Sequence, residues 1–269
     1  MQTIQLNTDK QTISYRKTGA GPVAILIHGF PEDGSLWEPV VPVLASSFTV
    51  ICPDIPGAGS STLSQAQNQT IETLSGFLND IYRQEDIAEA VLVGHSMGGY
   101  LALAFLESYP EKVKGISLVH STATADSEEK KEMRRKAVAL ISKGGKEAFV
   151  KGMIPNLFSD AFKTDQPAQL ERQVQRGLKL RSESMAAFYT AMMNRQDRTG
   201  NLKDNAKPVQ WVIGKEDSVV PLNLALSQAR LSHTTFVSLY ENCGHMSMLE
   251  QPEKLSGDLR DFLAYCYNR

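Results

Sequence analysis

Cysteine, net charge and long apolar runs are all scarce in this 269-residue sequence, and each scarcity excludes a class of protein. The three cysteines, Cys52, Cys243 and Cys266, are odd in number, widely spaced and outside any C-x-x-C pair, which argues against a disulfide framework and a thiolate zinc site. A formal net charge of -2 gives no general attraction to nucleic acid or anionic lipid. No apolar run approaches the length that crosses a bilayer.

The amino terminus also lacks the charged start and apolar stretch of a secretory signal. Hydrophobic residues make up 42% of the chain and charged residues 22%, which is typical of soluble globular enzymes. We therefore expect a cytoplasmic protein that binds a small molecule and neither nucleic acid nor a membrane. The sequence leaves the oligomeric state open.

Short apolar runs alternate with longer segments of helical spacing, a pattern that predicts an α/β fold with a mostly parallel sheet. Residues 3–6 and 12–16 predict an antiparallel hairpin, which brings the expected total to eight strands. The other predicted strands are 23–28, 48–53, 90–94, 115–120, 209–214 and 235–240. The predicted flanking helices are 35–47, 70–83, 99–109 and 252–267.

Residues 121–207 interrupt this alternation, because they contain charge-rich helical patterns and no convincing strand. The helical patterns cover 128–142, 146–154, 168–180 and 184–194. An inserted helical cap explains the interruption. The predicted organisation is a core formed by residues 1–120 and 208–269, with a cap formed by residues 121–207.

The most informative segment is V-L-V-G-H-S-M-G-G-Y at residues 91–100, where an apolar strand runs into G-x-S-x-G and then into a helix. Glycines at 94 and 98 leave room for a sharp turn that exposes the Ser96 hydroxyl for attack. The motif alone occurs often by chance, and a glycine-rich turn that only allows close packing is the alternative. The strand and helix on either side favour a nucleophile.

In this context the sequence resembles the α/β-hydrolase superfamily, whose chain order is nucleophile, acid and histidine. The resemblance implies that Asp217, in the loop G-K-E-D-S-V-V-P at 214–221, is the acid, and that His245, in E-N-C-G-H-M at 241–246, is the base. A serine hydroxyl needs a neutral imidazole to accept its proton, and a buried carboxylate orients that imidazole. The three residues together would form a catalytic triad.

Other residues compete for these roles. Glu216 adjoins Asp217 but should point elsewhere on the turn, and Asp126 follows the strand ending at residue 120, where some family members place their acid. The remaining four histidines are interpreted as structural. They are His28 and His95, which the resemblance places in support of neighbouring turns, His120 at a strand end and His233 in a polar loop.

Two further loops match the family. H-G-F-P at 28–31 resembles the loop that presents a backbone N–H to the developing oxyanion, which makes Phe30 one donor, and Met97, after the nucleophile, the second. An ordinary turn at the strand end is the alternative for this loop. D-I-P-G-A-G-S at 54–60 resembles the superfamily's D-x-P-G-x-G-x-S loop, for which we expect a structural role.

No cofactor or metal is expected. G-A-G-P-V-A at 19–24 precedes a strand, and Pro22 lacks the N–H that would bind phosphate. Glu147 follows Gly145-Lys146 where a P-loop needs Ser or Thr. No histidines have the spacing of zinc ligands.

Two features of the predicted cap could contribute to substrate binding. Its apolar members are expected to roof an apolar pocket, although ordinary core packing is the alternative. They include Phe149, Met153, Phe158, Phe188 and Met192. The charge run at 128–136 could bind an acidic substrate, but a solvated helix face with ion pairs four residues apart is the favoured interpretation.

The expected activity is hydrolysis of a small carboxylic ester or lactone by a serine hydrolase through an acyl-enzyme. A serine nucleophile argues against haloalkane dehalogenases and epoxide hydrolases, which use aspartate, although the chain shares H-G-x-P with the latter. Phe30-Pro31-Glu32 departs from the glycine-rich loop of carbon–carbon hydrolases. Carbon–carbon or thioester hydrolysis by the same triad, and a non-catalytic ligand receptor on the same fold, remain alternatives.

Overall fold

A computed structural model describes residues 1–9, 11–63 and 69–268. Its eight strands form one sheet in the order β1-β2-β4-β3-β5-β6-β7-β8. The strands are β1 (Gln2–Asn7), β2 (Thr12–Thr18), β3 (Val23–Ile27), β4 (Thr49–Pro53), β5 (Ala90–His95), β6 (Val113–Val119), β7 (Val209–Gly214) and β8 (Thr235–Tyr240).

The sheet is mostly parallel, as the sequence predicts. Only β1 and β2, and β2 and β4, pair antiparallel; the other neighbours are parallel. Every residue of β5 and β7 is buried, because helices cover both faces of the central strands, which explains their continuous apolar runs. The edge strand β8 instead alternates between partly buried and exposed positions.

Helices occupy most of the chain between the strands. None in the described ranges is long and apolar enough to span a membrane. The helices are α1 (Val41–Leu44), α2 (Ile71–Ser75), α3 (Phe77–Gln84), α4 (Met97–Ser108), α5 (Glu128–Leu140), α6 (Lys146–Met153), α7 (Asp160–Asp165), α8 (Pro167–Lys179), α9 (Ser182–Met193), α10 (Thr199–Asp204), α11 (Leu222–Ala229), α12 (Ser247–Glu250) and α13 (Pro252–Tyr267).

The predicted helix at 35–47 is wrong. The chain forms a 3-10 turn at Gly34–Trp37 and only one short helix, α1. Pro39 and Pro42 explain this, because each lacks the backbone N–H that a continuous helix would bond to the carbonyl oxygen four residues earlier, and Pro42 is tolerated in the first turn of α1. The predicted helix at 70–83 is likewise divided, at Gly76, into α2 and α3.

Residues 121–207, all of which the structure describes, contain helices and no strand. Helices α5 to α10 lie in this segment, with a π-helical stretch at Ile141–Gly145 where Gly144 takes a φ of 89°. Helix α5 packs against α9, and α6 against α8. The division into core and cap remains a prediction, and we refer to residues 121–207 as the helical segment.

Gly257 provides a stability test for the helical framework. It lies inside α13, and a Cβ atom added there would meet nothing within 4 Å. Because glycine costs about 0.5–1 kcal/mol relative to alanine in a helix interior, Gly257→Ala should raise the free energy of unfolding by that amount. Urea denaturation measures this, and a variant no more stable than the wild type would contradict it.

Candidate active site

Ser96 lies at a strained turn between β5 and α4. Its backbone takes φ 48° and ψ -113°, a combination that a non-glycine residue rarely adopts. A Cβ atom at Gly94 would lie 2.5 Å from the Gly98 backbone, and one at Gly98 would lie 2.3 Å from the carbonyl oxygen of Ile27. The two glycines therefore allow the turn to close and the helix to approach β3.

Backbone contacts fix this serine to β6. The Ser96 N–H donates to the Val119 carbonyl oxygen at 2.9 Å, and the Ser121 hydroxyl donates to the Ser96 carbonyl oxygen at 2.8 Å. Ser96 is 9% exposed. The residue that the sequence predicts as nucleophile is thus held rigidly at the carboxyl end of the sheet, where parallel α/β sheets place their ligands.

Asp217 lies in the loop after β7, with its carboxylate fully engaged. Its Oδ1 accepts from the Val219 N–H at 2.8 Å and the Val220 N–H at 2.9 Å. Its Oδ2 lies 2.8 Å from Nδ1 of His245, so the structure brings the predicted acid and base into contact. Glu216, the neighbouring alternative, is exposed.

A second imidazole binds the same carboxylate. Nδ1 of His120 lies 3.1 Å from Asp217 Oδ2, and its Nε2 accepts from the Ser247 N–H at 3.3 Å. The proton of a neutral His120 is therefore on Nδ1, which donates to Asp217. Sequence reasoning interpreted His120 as structural and missed this contact; its only signal was the position of His120 beyond an apolar strand that ends beside the site.

Burial and hydrogen bonding act in opposite directions on Asp217. Burial alone would raise its pKa, but the adjacent His245 and the hydrogen bonds from His120 and His245 outweigh burial and hold the pKa far below its usual range. Burial lowers the pKa of His120 despite its bond to Asp217. Asp217 is therefore an anion and His120 is neutral near pH 7.

The loop that carries His245 is fixed by the helical segment. The His245 N–H donates to the Leu157 carbonyl oxygen at 2.7 Å, and a Cβ atom at Gly244 would lie 2.7 Å from that same oxygen. Glycine at 244 thus permits a close approach between the histidine loop and the turn after α6. The position of the imidazole depends on this approach.

Glu250 forms hydrogen bonds with both the loop that carries His245 and the helical segment. Its carboxylate accepts from the N–H groups of Gly244 at 3.1 Å and Met246 at 3.0 Å, which flank His245. It also accepts from the Ser159 N–H at 3.0 Å in the helical segment. Sequence reasoning missed Glu250, whose signal is its place five residues after the histidine at the end of a short helix.

His95 connects the serine turn to His245. Its ring centroid lies 5.0 Å from that of His245, and its Nε2 lies 3.0 Å from the His245 carbonyl oxygen. Because His95 directly precedes Ser96, this contact places the predicted nucleophile and base at the same end of the sheet. The supporting role that the sequence suggests for His95 agrees with this geometry.

Phe30 and Met97, the predicted oxyanion donors, follow β3 and β5. Met97 is the first residue of α4, so its N–H has no partner within the helix. Within the described residues, neither backbone N–H donates a hydrogen bond. Beside Phe30, His28 bonds the Gly29 carbonyl oxygen at 2.7 Å and accepts from the Ile55 N–H at 2.9 Å. Burial lowers the pKa of His28, which keeps it neutral.

The remaining candidates lie in other settings. Asp54 accepts from the N–H groups of Gly34 and Ser60, both at 2.9 Å, which agrees with a structural role for its loop. Asp126 is paired with two arginines of the helical segment instead of His245. His233 is exposed in a loop before β8.

His120, Asp217 and His245 form a cluster whose donor atoms lie within 4.8 Å of one another, close enough to hold a metal ion. Each Nδ1 atom already bonds the carboxylate, and Nε2 of His120 bonds a backbone N–H. Both Nδ1 atoms and Nε2 of His120 are thereby committed to hydrogen bonds, which leaves Nε2 of His245 as the free ring nitrogen of the cluster. The cluster therefore has the chemistry of a hydrogen-bonded network.

An eight-stranded mostly parallel sheet, a serine on a strained strand-to-helix turn and a buried Asp–His pair at the same edge together define the α/β-hydrolase class. The family model described as "alpha/beta hydrolase fold" matches residues 22–252, and the chain belongs to this family. The prediction of the fold from the sequence is thus confirmed.

Three of the similar proteins are an esterase, a hydrolase and an enol-lactonase. A thermophilic esterase from Thermogutta terrifontis is 28% identical, with a TM-score of 0.93 and 99% of each chain covered. The 2-(acetamidomethylene)succinate hydrolase of Mesorhizobium japonicum is 26% identical over 90% of this chain and 88% of its own length. The enol-lactonase from Burkholderia xenovorans LB400, at 21% identity, shares the fold with a TM-score of 0.89 over 97% of this chain and 100% of its own.

The depressed pKa of Asp217 predicts a pH-dependent contribution to stability. A carboxylate whose pKa is lowered on folding stabilises the protein above its unfolded pKa, near 3.8, and this stabilisation is lost as pH falls below that value. Asp217→Asn cannot titrate. The stability difference between wild type and Asp217→Asn should therefore shrink as pH falls below about 4. Urea denaturation at several pH values measures it, and a difference independent of pH would contradict the assignment.

Proposed function

We propose that this chain is a serine hydrolase that cleaves a small carboxylic ester or lactone through an acyl-enzyme, with Ser96, His245 and Asp217 as its catalytic residues. The observation that carries the proposal is the buried 2.8 Å contact between Asp217 Oδ2 and His245 Nδ1, at the sheet edge where Ser96 occupies a strained turn. This bond leaves Nε2 of His245 as the free proton acceptor.

In the first half-reaction the Ser96 hydroxyl gives its proton to Nε2 of His245 while Oγ bonds to the substrate carbonyl carbon. The electron pair of the carbonyl bond moves to its oxygen, which the N–H groups of Phe30 and Met97 stabilise. The tetrahedral intermediate then collapses, and the leaving alkoxide takes the proton from His245. In a lactone, that alcohol stays attached to the acyl group.

In the second half-reaction a water molecule gives a proton to His245 and attacks the acyl carbon. Collapse of this intermediate breaks the bond to Ser96 Oγ, which recovers the proton and releases the carboxylic acid. Asp217 remains an anion throughout and stabilises the imidazolium form of His245. His120 acts as a positioning residue, because its Nδ1–H bonds Oδ2 of the carboxylate while the backbone N–H groups of Val219 and Val220 bond Oδ1.

The helical segment supports a small substrate. The Phe30 ring contacts Tyr189 of this segment at 4.7 Å and Phe149 at 6.4 Å between centroids. Phe158, Phe188 and Met192 are buried. An aromatic cover directly over the proposed oxyanion residue favours compact acyl groups over polymers.

The relatives favour ester chemistry over the other reactions of this fold. The Thermogutta terrifontis protein is an esterase, and the Mesorhizobium japonicum protein is a hydrolase of a succinate derivative. Cleavage of a carbon–carbon bond or a thioester by the same residues is the second candidate, and a panel of such substrates separates it from ester hydrolysis. A non-catalytic ligand receptor would bind without turnover.

Replacing the nucleophile tests the proposal. Ser96→Ala should lower kcat for a short-chain 4-nitrophenyl ester by at least about 10³-fold and abolish labelling by a fluorophosphonate, because no other group can form the acyl-enzyme. The exposed Ser227→Ala provides a matched control that should keep wild-type activity. Retention of more than about a tenth of wild-type kcat by Ser96→Ala, with the fold intact, would reject Ser96 as nucleophile.

A second pair of variants tests the acid. Asp217→Asn keeps the shape of the side chain but favours the wrong tautomer of His245, so kcat should fall on the order of 10⁴-fold, as in other triads. Glu216→Gln removes the same charge one residue away on the exposed side of the loop and should leave kcat within about twofold. Equal losses in the two variants would show that general loop charge, and not an orienting carboxylate, matters.

A further inference from the structure

The charge run of α5 divides between two faces of the helix. On the outer face, exposed Glu128 pairs with Lys131 at 2.7 Å, and Glu132 pairs with Arg135 at 2.9 Å. Lys130 and Arg134 lie one turn apart on the inner face: Nζ of Lys130 donates to the Val219 carbonyl oxygen at 3.2 Å, and Nε of Arg134 donates to Asp126 Oδ2 at 2.6 Å. The inner pair are therefore not part of a solvated face.

Arg134 contacts the aromatic rings that pack against Phe30, the proposed oxyanion residue. Its Cζ lies 5.0 Å from the centre of the Tyr189 ring, and that ring lies 4.7 Å from the Phe30 ring between centroids. A third aromatic residue, Tyr100, lies one helical turn after Ser96. Cζ of Arg195 lies 4.2 Å from the centre of the Tyr100 ring. Each arginine thus packs on an aromatic ring: one ring contacts Phe30, and the other belongs to the helix that follows Ser96.

Positive charge exceeds negative charge in this cluster. Asp126 is buried and pairs with both guanidiniums, at 2.6 Å to Arg134 and 2.7 Å to Arg195. Lys130 adds a third cation, whose pKa is lowered first by burial and then by the two guanidiniums. Asp217 nearby is already hydrogen-bonded by its own four donors, and Asp197 interacts with Arg195. Two acids, Asp126 and Asp197, therefore face three cations, and of the two it is Asp126 that pairs with Arg134.

The two arginines differ in their free donors. Arg195 donates from Nε to the Thr124 carbonyl oxygen at 3.0 Å and from Nη1 to the Met192 carbonyl oxygen at 2.9 Å, besides its contact with Asp126. Arg134 uses only Nε, and within the described residues its two terminal nitrogens donate no hydrogen bond. Its side chain is 17% exposed, and within the described residues neither terminal nitrogen is a buried atom without a hydrogen-bond partner, so both retain contact with solvent.

A guanidinium with two accessible terminal nitrogens presents parallel N–H groups that match the two oxygens of a carboxylate. We propose that Arg134 binds a carboxylate of the substrate, so that this enzyme prefers esters or lactones that carry a negative charge away from the scissile bond. The inference rests on the proposed function and adds the substrate class. Asp126 orients the guanidinium through their ion pair, and the Tyr189 ring contacts both Arg134 and Phe30.

The test compares two esters that differ only in charge: mono-4-nitrophenyl adipate, which carries a free carboxylate, and its neutral methyl ester. Wild-type enzyme should prefer the charged ester in kcat/KM by about 10-fold or more, because a buried cation left without its partner disfavours the neutral one. Arg134→Gln should lower kcat/KM for the charged ester by about 10- to 100-fold, mainly through KM, and change the neutral ester by less than about threefold. Arg134→Lys should restore only part of the preference, since a single ammonium lacks the paired donors.

Arg135→Gln is the matched control, because it removes the same charge from the adjacent, outward position on α5 and should leave the preference unchanged. Equal losses on both esters in Arg134→Gln would indicate a merely structural arginine and would overturn the inference, as would a wild type without preference. Turnover of the neutral ester and labelling of Ser96 would still uphold the proposed function in that case.

A binding measurement separates the inference from catalysis. Monomethyl adipate, a charged molecule of the same length, should raise the melting temperature of wild type and of Ser96→Ala, but not of Arg134→Gln. If the wild type hydrolyses neither ester, the proposed function fails, and this binding difference alone then decides whether Arg134 recognises a carboxylate. No shift in wild type at millimolar monomethyl adipate would reject it.

Discussion

A carboxylate that is almost wholly removed from water is stable as an anion only when hydrogen bonds replace its lost hydration, and Asp217 meets this condition with four donors. Two come from its own loop after β7. The others come from His120, beyond the end of β6, and His245, in the loop after β8. The need to satisfy one buried charge thus ties together the carboxyl ends of three neighbouring strands.

The second constraint lies between the histidine loop and the helical segment. The backbone N–H of His245 bonds Leu157, and Glu250 bonds both the histidine loop and Ser159. Backbone hydrogen bonds of this kind cannot be replaced by water without loosening the loop, because the groups are buried. Residues 154–159 therefore belong to the scaffold of the proposed site.

The apolar runs were sufficient to predict the eight strands, and the resemblance to the α/β-hydrolase superfamily implied that Asp217 and His245 meet. Parallel strands explain the contact, because they bring their carboxyl ends to one edge of the sheet. The prediction failed at 35–47, where helical spacing suggested one helix but two prolines prevent it. The role of His120 could not be predicted, since hydropathy locates the end of β6 without showing which side chain turns toward a loop 97 residues later. Glu250 was missed because its partners are backbone N–H groups, which the sequence does not identify; its position five residues after His245 was the available signal.

The charge run of α5 shows a related limit. Counted along the chain, alternating lysines, arginines and glutamates predict a solvated helix face, and the outer residues Glu128, Glu132 and Arg135 fit that description. Side chains four residues apart share a face, however, so Lys130 and Arg134 separate from their immediate neighbours and turn toward the core. The run at 128–136 holds five cations and three acids, and the structure places two of the cations, Lys130 and Arg134, on the inner face. The net charge of such a helix therefore has to be counted separately for each face, because a substrate contacts the side chains of one face and not all residues of the run.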